Sequence, residues 1–385
     1  MSCPGCREPA KFQGYRPKTL VGLTGTLVVE RPYYHCPHCR SGHYPGDRAV
    51  GQEHPTLTAG AERVVAYLGT TGGSFAEARA TLAEVAGLRL SESAVERTTE
   101  AAGRRLGQLL ADGHTVGPTG DRAAWAWNAD AHGRRVAYVS VDATGVGMQG
   151  PGAAKAEGRM AYVGMVYDAK AFDPEAPAAA RPIERARYLA GFQGLDALGV
   201  QLRRQAGQVG MGRADRWIGL SDGGQGLDDF FRVNFPQALL VLDFYHAAGH
   251  LTDLVRSWGG GAAAVADRLD GWCHTMKHRG GAAVLAELEA LDRSGRDAPA
   301  LEQYRLVTGY VRRNAYRMDY PSYLESGWQI GSGSMESGCK AVVCQRLCGT
   351  GMRWGGDGAD VVCHLRALFR SEPGQWEAFW NRSIN

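Results

Sequence analysis

The sequence predicts an α/β protein preceded by smaller N-terminal segments, and three observations point to this class. From residue 125 onward, β-branched apolar runs typical of strands alternate with helical patterns. Residues 247–318 carry a long helical pattern that no strand signal interrupts. Near the start, two Cys-x-x-C pairs enclose a β-rich segment that is too short to fold on a hydrophobic core alone.

Length and composition are those of a globular protein. The 385 residues allow two or three domains, and 44% of them are hydrophobic and 22% charged. The net charge is only +3, so a phosphate-binding surface requires local clusters of basic residues. The nine cysteines are odd in number and unevenly placed, which favours a reducing, cytoplasmic setting over a disulfide framework. We find no signal-peptide pattern and no apolar run near the roughly 18 residues of a membrane span, so no membrane partner is expected.

The first segment, residues 1–50, has the layout of a zinc ribbon. Cys3 and Cys6 form one knuckle, Cys36 and Cys39 form the other, and a predicted hairpin joins them. Four thiolates at this spacing can surround one structural Zn²⁺, and a domain this small needs such a ligand to fold. The alternative is a pair of redox-active Cys-x-x-C motifs without metal.

Residues 51–115 are predicted to form a helical DNA-binding domain. Amphipathic helices are expected near residues 57–68 and 75–85, and Ser91 or Ser93 is expected to cap a third helix. Two helices separated by a short glycine-containing turn fit a helix-turn-helix DNA reader. A plain three-helix bundle fits the same pattern, so both interpretations stay open.

The remaining chain is predicted to be an α/β core in two parts, residues 123–246 and 327–385, with residues 247–326 as an all-helical insertion. The second part would contribute helices only. The alternation of strand and helix signals in the first part is typical of an α/β sheet. The predicted elements of that first part are strands at residues 135–141, 160–167, 217–220 and 237–242 and a helix at residues 185–206.

Three acidic residues stand where such a core would bring them together. Asp142 ends one apolar run, Asp222 ends another before two glycines, and Glu336 lies in the first turn of a predicted helix. Each alone is explained by turn, cap or helix-dipole chemistry. Together they supply the hard oxygen ligands that two Mg²⁺ ions, or Mn²⁺, need for phosphodiester cleavage. Two strand-end acids and one on a later helix are the layout of an RNase H-like metal-ion nuclease core.

A second group of polar residues follows the last predicted strand. Asp243 ends that strand, and His246 and His250 share one helix face at a spacing of four residues. We expect these three residues to support the metal ligands or to contact phosphate. A transition-metal site on the two histidines is the alternative. Candidates for its remaining ligands are Cys273, His274 and His278.

Basic and aromatic residues surround Glu336 in the sequence. Lys340 follows it by one helical turn, and Arg346 and Arg353 lie further along, so all three are candidate phosphate contacts. Trp328 and Trp354 flank the same region. Stacking on unpaired bases and packing in the core are the two interpretations of these tryptophans.

Several stretches of the sequence resemble a known protein family. The N-terminal knuckles and residues 31–34 (RPYY) fit the same family, so the resemblance covers nearly the whole chain. The chain closely resembles the ISKra-type bacterial insertion-sequence transposases, which are relatives of the Mutator-like superfamily. The matching stretches are residues 220–224 (LSDGG), 230–235 (FFRVNF), 242–248 (LDFYHAA), 327–334 (GWQIGSGS), 351–354 (GMRW) and 364–370 (HLRALFR).

This resemblance implies a DDE transposase whose RNase H-like core is interrupted by an all-helical insertion. Asp142, Asp222 and Glu336 match the three acids of the family, and Asp243 with His246 matches its Asp/Cys-x-x-His element. The implied reaction is metal-dependent cleavage at transposon ends followed by strand transfer into target DNA. The implied partners are the terminal inverted repeats, the target DNA and a second copy of the chain, in the cytoplasm of a bacterium at the nucleoid.

Four positions depart from the family pattern. Ala143 follows the first acid in place of a glycine, Gly249 stands where a glutamate is expected, and Gly338 and Cys348 are also unusual. None of these changes removes a metal ligand. Two other functions fit the sequence: a catalytically impaired or domesticated DNA-binding protein derived from a transposase, and another RNase H-fold nuclease.

Overall fold

The computed structural model describes residues 1–49, 54–150, 152, 157–173, 175, 182–382 and 384. The chain divides into two compact units, Met1–Arg104 and Arg105–Asn385, and the division falls inside one long helix. Among the described residues, no helix is both long enough and apolar enough to cross a lipid bilayer.

Unit 1 opens with a two-stranded antiparallel hairpin between two cysteine knuckles. Strand β1 (Lys11–Gly22) pairs with β2 (Gly25–His35), and β2 pairs with the short β3 (Gly42–His43). A short helix, α1 (Pro45–Ala49), follows. The buried centre of this region is small and consists of Cys3, Ala10 and Cys36.

Three helices complete unit 1, as their amphipathic pattern predicts. They are α2 (Ala59–Thr71), α3 (Phe75–Ala86) and α4 (Glu92–Ala111), which continues into unit 2. The side chain of Ser74 caps α3, and Gly87 ends this helix in the left-handed conformation, with φ = 64°. The buried core of the three helices includes Leu57, Val65, Leu82 and Val95.

Unit 2 is built on a five-stranded mixed sheet, so the predicted α/β class is confirmed. The strand order is β6-β5-β4-β7-β8. The first three strands pair antiparallel, whereas β4, β7 and β8 pair parallel. The strands are β4 (Val136–Val146), β5 (Arg159–Ala169), β6 (Ile183–Gly191), β7 (Arg216–Ser221) and β8 (Leu239–Leu242).

The helix predicted for residues 185–206 is wrong in its first part. Strand β6 occupies that part, and helix α5 (Leu195–Gln208) begins only after it. The local sequence is rich in Arg, Ala and Leu, which favour helix. The backbone nevertheless pairs along β5, from the Tyr162–Gly191 pair onward, because this pairing extends the sheet.

Strand β4 is longer than predicted, and Asp142 lies within the strand rather than at its end. Pairing with β7 stops at the Ser140–Leu220 pair, but pairing with β5 continues as far as Val146. The small residues after Asp142 therefore extend the strand on one side only. Asp142 stands where β4 has lost its β7 neighbour.

Helices fill the rest of unit 2, as the pattern of residues 247–318 predicts. Helix α6 (Leu227–Asn234) connects β7 to β8, and five helices then follow one another without an intervening strand. These five are α7 (Phe244–Trp258), α8 (Ala262–Arg279), α9 (Gly281–Glu289), α10 (Ala298–Asn314) and α11 (Tyr320–Glu325). The last helices are α12 (Gly333–Cys339), α13 (Gln345–Leu347), α14 (Gly356–Arg370) and α15 (Gln375–Trp380).

A π-helical segment, Lys340–Cys344, joins α12 to α13. A π turn contains one more residue than an α turn and disturbs the regular pairing of backbone carbonyls. Arg366 of α14 donates hydrogen bonds to the carbonyls of Ala341 and Val342 within this segment. Burial lowers the pKa of Arg366 to about 10.

Candidate active site

The three acidic residues singled out in the sequence line one cavity of unit 2, with a volume of about 630 Å³. Asp142 projects from β4, Asp222 directly follows β7, and Glu336 lies in the first turn of α12. Asp142 and Asp222 are half-buried, whereas Glu336 is exposed. Residues separated by 80 and 114 positions in the sequence thus line one cavity at one edge of the sheet.

The sheet register places the two aspartates side by side. Ser140 of β4 is paired with Leu220 of β7, and the two strands run parallel. Asp142 and Asp222 each lie two residues beyond this pair. They therefore lie at the same level, just beyond the point where the parallel pairing of β4 with β7 ends.

Burial raises the pKa of Asp142 above its ordinary value, and the negative charge of Asp222 raises it further. Two donors act in the opposite direction. The backbone N–H of Ala143 lies 2.7 Å from Oδ1 of Asp142, and the thiol of Cys339 lies 3.7 Å from its Oδ2. The two neighbouring carboxylates could together hold a cation.

A tight loop holds Asp222 in place. Its Oδ1 accepts a hydrogen bond from the N–H of Gly224 at 2.8 Å, and its backbone carbonyl accepts one from Tyr310 Oη at 2.9 Å. Gly223 has φ = +81°, and an added Cβ there would lie 2.8 Å from a methyl group of Leu242. Only glycine fits this position without strain.

Asp243 does not line the cavity and instead connects two of its walls. It is 1% exposed and caps α7, accepting a hydrogen bond from the N–H of His246 at 2.7 Å. Its other oxygen accepts one from the N–H of Ser332 at 2.5 Å, and Ser332 is the residue that precedes α12. The carboxylate of Asp243 thereby fixes the start of the helix that carries Glu336.

One face of α7 forms a polar wall of the cavity. His246, Gly249, His250, Asp253 and Arg256 lie along it at spacings of three and four residues. The rings of His246 and His250 are 5.0 Å apart. Burial lowers the pKa of His250, and the neighbouring His246 lowers it further. Sequence reasoning missed Asp253 and Arg256, although they continue the helical spacing that begins at His246.

The two departures nearest the site leave space rather than block it. An added Cβ at Gly249 would meet no atom within 4 Å, so this part of the α7 wall is open. Ala143 is half-buried, and its backbone N–H donates to Asp142. Cys339 beside Asp142 is buried, and this burial raises the pKa of its thiol.

None of the three basic residues predicted to contact phosphate lines the cavity. Lys340 and Arg353 are exposed elsewhere on unit 2. Arg346 is 1% exposed, and its guanidinium lies 4.8 Å from the centre of the Trp354 ring. A phosphate contact by Arg346 would require it to leave this buried position.

Both tryptophans that flank Glu336 in the sequence are core residues. The indole N–H of Trp328 donates to Asp130 at 3.0 Å, and that of Trp354 donates to the carbonyl of Leu347 at 3.2 Å. Neither ring is more than 7% exposed. Packing, rather than stacking on bases, is their role in this structure.

The four N-terminal cysteines of unit 1 could bind zinc. Their sulfur atoms all lie within 4.8 Å of one another, with Cys3 and Cys39 at 3.5 Å and Cys6 and Cys36 at 3.6 Å. Tetrahedral coordination with Zn–S bonds of about 2.3 Å requires sulfurs about 3.8 Å apart, so the donor set fits this ion. Hydrogen bonds from Ser41 and nearby backbone N–H groups lower the pKa of Cys3 to about 5, which favours the thiolate.

Among the described residues, these cysteines are the only group of three or more His, Cys, Asp or Glu whose ligand atoms lie this close together. The three carboxylates of the cavity are more widely spaced. The ring centres of His274 and His278 lie 4.4 Å apart on α8, with the rings tilted by 42°, but the two residues form no such group with Cys273 or with the α7 histidines.

No family model and no curated protein matches this sequence. Among solved structures, the chain is similar to one in the Drosophila P element transposase strand transfer complex. The TM-score is 0.39 with 9% identical residues, and the match covers 86% of this chain and 96% of the other. A similarity at this level establishes neither the fold nor the activity of this chain.

Proposed function

We propose that this protein is a DDE transposase of the ISKra type, with an RNase H-like core interrupted by the helices α7 to α11. The observation that supports it best is the meeting of Asp142, Asp222 and Glu336 in one cavity. They come from two adjacent strands and a later helix, which is the layout expected from the sequence motifs. The reaction is hydrolysis at the transposon ends, followed by attack of the freed 3′-OH on target DNA.

The cavity is suited to Mg²⁺ or Mn²⁺ by the chemistry of its donors. Carboxylate oxygens are the ligands that these hard cations prefer. The pKa of Asp142 is raised mainly by burial, and the negative charge of Asp222, which adds to this, is charge that a cation would offset. Bound Mg²⁺ would stabilise charge on the attacking and leaving oxygens of the phosphodiester. Two ions are the number that this cleavage chemistry uses, one for the attacking oxygen and one for the leaving oxygen.

The residues that line the cavity would have two roles, binding cations and contacting phosphates. Asp142 and Asp222 would hold cations from the sheet, and Glu336 would do so from α12, which Asp243 positions through Ser332. His246, His250 and Arg256 face the same space from α7 and would contact the phosphates that flank the scissile bond.

The rest of the chain is proposed to bind DNA and to organise the complex. Residues 1–50 would form a zinc ribbon, and residues 51–115 would form a helical DNA-binding domain. A dimer that holds two transposon ends fits the reaction, because both ends must be brought together before strand transfer. The protein would act on the bacterial nucleoid in the cytoplasm.

The test uses a supercoiled donor plasmid that carries the gene with its flanking DNA, in Mg²⁺ or Mn²⁺. Glu336→Gln is compared with Asp357→Asn, a matched control because Asp357 is also an exposed acid in a first helical turn, that of α14. We expect Glu336→Gln to reduce end cleavage about 10²- to 10³-fold or more, while Asp357→Asn keeps it.

Two outcomes would replace the proposal. If the unchanged protein and Glu336→Gln behave alike, the chain is a DNA-binding protein derived from a transposase. Cleavage that depends on Glu336 but ignores the end sequence would instead indicate another RNase H-fold nuclease.

A further inference from the structure

Two arginines of unit 1 adopt a backbone conformation that suits glycine. Arg7 has φ = 66° and Arg40 has φ = 56°, both in the left-handed region. Side chains with a Cβ are disfavoured there, whereas glycine enters it freely. Each arginine directly follows the second cysteine of a knuckle, so the same unusual choice occurs twice in equivalent positions.

The geometry of the knuckles explains why the backbone is left-handed at these two positions, but it does not explain why arginine occupies them. The N–H of Arg7 donates to the carbonyl of Cys3 at 2.9 Å, and the N–H of Cys36 donates to the carbonyl of Ser41 at 2.8 Å. These bonds turn the chain tightly around the sulfur atoms, and the residue after the second cysteine must reverse its direction. Glycine would satisfy this turn at lower cost. Strained residues of this kind concentrate at functional sites.

The side chains of Arg7 and Arg40 are not used inside the protein. Both residues are exposed, and within the described part of the chain neither makes an ion pair or a side-chain hydrogen bond. Other arginines nearby are used: Arg31 binds Asp47 at 2.6 Å, and Arg16 lies over the ring of Tyr33. The two knuckle arginines therefore offer their guanidinium groups to solvent.

Charge identifies the kind of partner. Residues 1–43 contain six Lys or Arg residues against two Glu residues, a strong local excess in a chain of net charge +3. Because the cysteine sulfurs lie within 4.8 Å of one another, both arginines belong to the same small module. Two exposed guanidinium groups on one small module fit phosphates of a nucleic acid backbone, which arginine binds in a bidentate manner.

We propose that Arg7 and Arg40 form a paired phosphate-binding site for duplex DNA, in which the two contacts are independent of base sequence. This inference deepens the proposed function, since it names where the zinc ribbon would contact DNA. It also explains why arginine stands twice at a position that favours glycine.

The test compares Arg7→Gly/Arg40→Gly with Arg7→Lys/Arg40→Lys in the full-length protein. Binding to a random-sequence duplex of about 30 base pairs is measured by fluorescence anisotropy without divalent metal, across a range of salt concentrations. We expect the glycine variant to bind more weakly and to reduce the slope of log affinity against log salt by about 2, one for each phosphate. The lysine variant should keep most of the slope, because it keeps both charges.

The melting temperature and zinc content of the variants distinguish a lost DNA contact from a damaged zinc ribbon. Glycine relieves the strained backbone, so the glycine variant should melt no earlier than the unchanged protein and should keep its zinc. Earlier melting or zinc loss would mean that the arginines are structural, and an unchanged salt slope would mean that they do not touch DNA. Either result overturns the proposal, as would arginine-dependent binding to single strands alone.

Failure of this proposal is distinguishable from failure of the proposed function. Glu336→Gln is expected to bind the duplex normally while losing cleavage. A third result is that binding depends on the two arginines while neither the unchanged protein nor any variant cleaves end DNA. That result would refute the proposed transposase activity and leave the phosphate-binding proposal standing.

Discussion

The four cysteines of unit 1 and the three carboxylates of unit 2 both gather ligand atoms from distant parts of the chain, but they do so at different spacing. The cysteine sulfurs approach to 3.5 and 3.6 Å, and two of the four residues are fully buried. The carboxylates are wider apart and open onto a cavity of about 630 Å³. Glu336 among them is exposed.

This difference separates a closed site from an open one. A structural zinc site uses all its coordination positions on protein ligands, whereas a catalytic site leaves positions for water or substrate. The cysteine group fits the first kind, and we propose that the carboxylate group is of the second. Substitutions at the two sites should therefore have different effects. Those at the cysteines should reduce folding in unit 1, and those at the carboxylates should reduce the cleavage rate of unit 2.

The largest expected effect follows from Cys36→Ser. Cys36 is fully buried among the sulfurs, so the variant should lose the metal and unfold residues 1–43, which lack a substantial apolar core. Structural zinc contributes on the order of 10 kcal/mol to small domains of this kind. Metal analysis should fall from about one zinc per chain to none, with faster proteolysis of the N-terminus. Cys273→Ser is the matched control, and full zinc in Cys36→Ser would refute the closed-site interpretation.

Asp142→Asn should show the opposite behaviour. Cleavage is expected to fall about 10²- to 10³-fold or more, as for other groups that stabilise transition-state charge. The metal-free protein should melt at the same temperature or slightly higher. The pKa of Asp142 is raised in the folded state, so its ionised form at neutral pH opposes folding, and a neutral amide removes that opposition. A variant that cleaves normally, or one that unfolds, would contradict this comparison.

Asp243→Asn should combine both effects at intermediate size. The amide replaces one of two accepting oxygens with a donor, which leaves the N–H of His246 or Ser332 without its charged partner. We expect a loss of about 2–3 kcal/mol in the free energy of unfolding. Cleavage should fall about 10- to 100-fold, because Glu336 is no longer held in position. Urea denaturation and initial rates measure the two effects, and unchanged stability would remove Asp243 from this supporting role.

The smallest effect is expected for Tyr310→Phe. The substitution removes only the hydrogen bond to the backbone carbonyl of Asp222, worth about 1 kcal/mol. The Asp222 loop should become less ordered, so the Mg²⁺ concentration for half-maximal cleavage should rise a few-fold while the maximal rate changes little. Metal titration of the cleavage rate provides the measurement. An unchanged metal requirement would show that the loop is held by Gly223 and Gly224 alone.

Features that depend on local chemistry could be predicted from the sequence. The cysteine spacing favours a metal knuckle, and two glycines after Asp222 indicate a tight turn, which Gly223 makes with φ = +81°. The end of α3 at Gly87 belongs to the same class. In each case a few adjacent residues determine the backbone.

Features that depend on tertiary pairing could not be predicted in this way. Strand β6 contains helix-favouring residues and becomes a strand only because β5 is beside it. Arg346 is a plausible phosphate ligand by charge, but Trp354, eight residues later, covers it. The polar wall of α7 could be predicted only in part. The two histidines are recognisable by residue type, whereas Asp253 and Arg256 follow from them only through helical spacing.

The π-helical segment after Glu336 depends on a helix that lies further along the chain. One extra residue in Lys340–Cys344 rotates the short helix α13 by about 100° relative to an uninterrupted α-helix. Arg366 supplies the donors that the disturbed carbonyls of Ala341 and Val342 require. Arg366, more than twenty residues further along the chain, therefore stabilises the turn that follows the helix carrying Glu336.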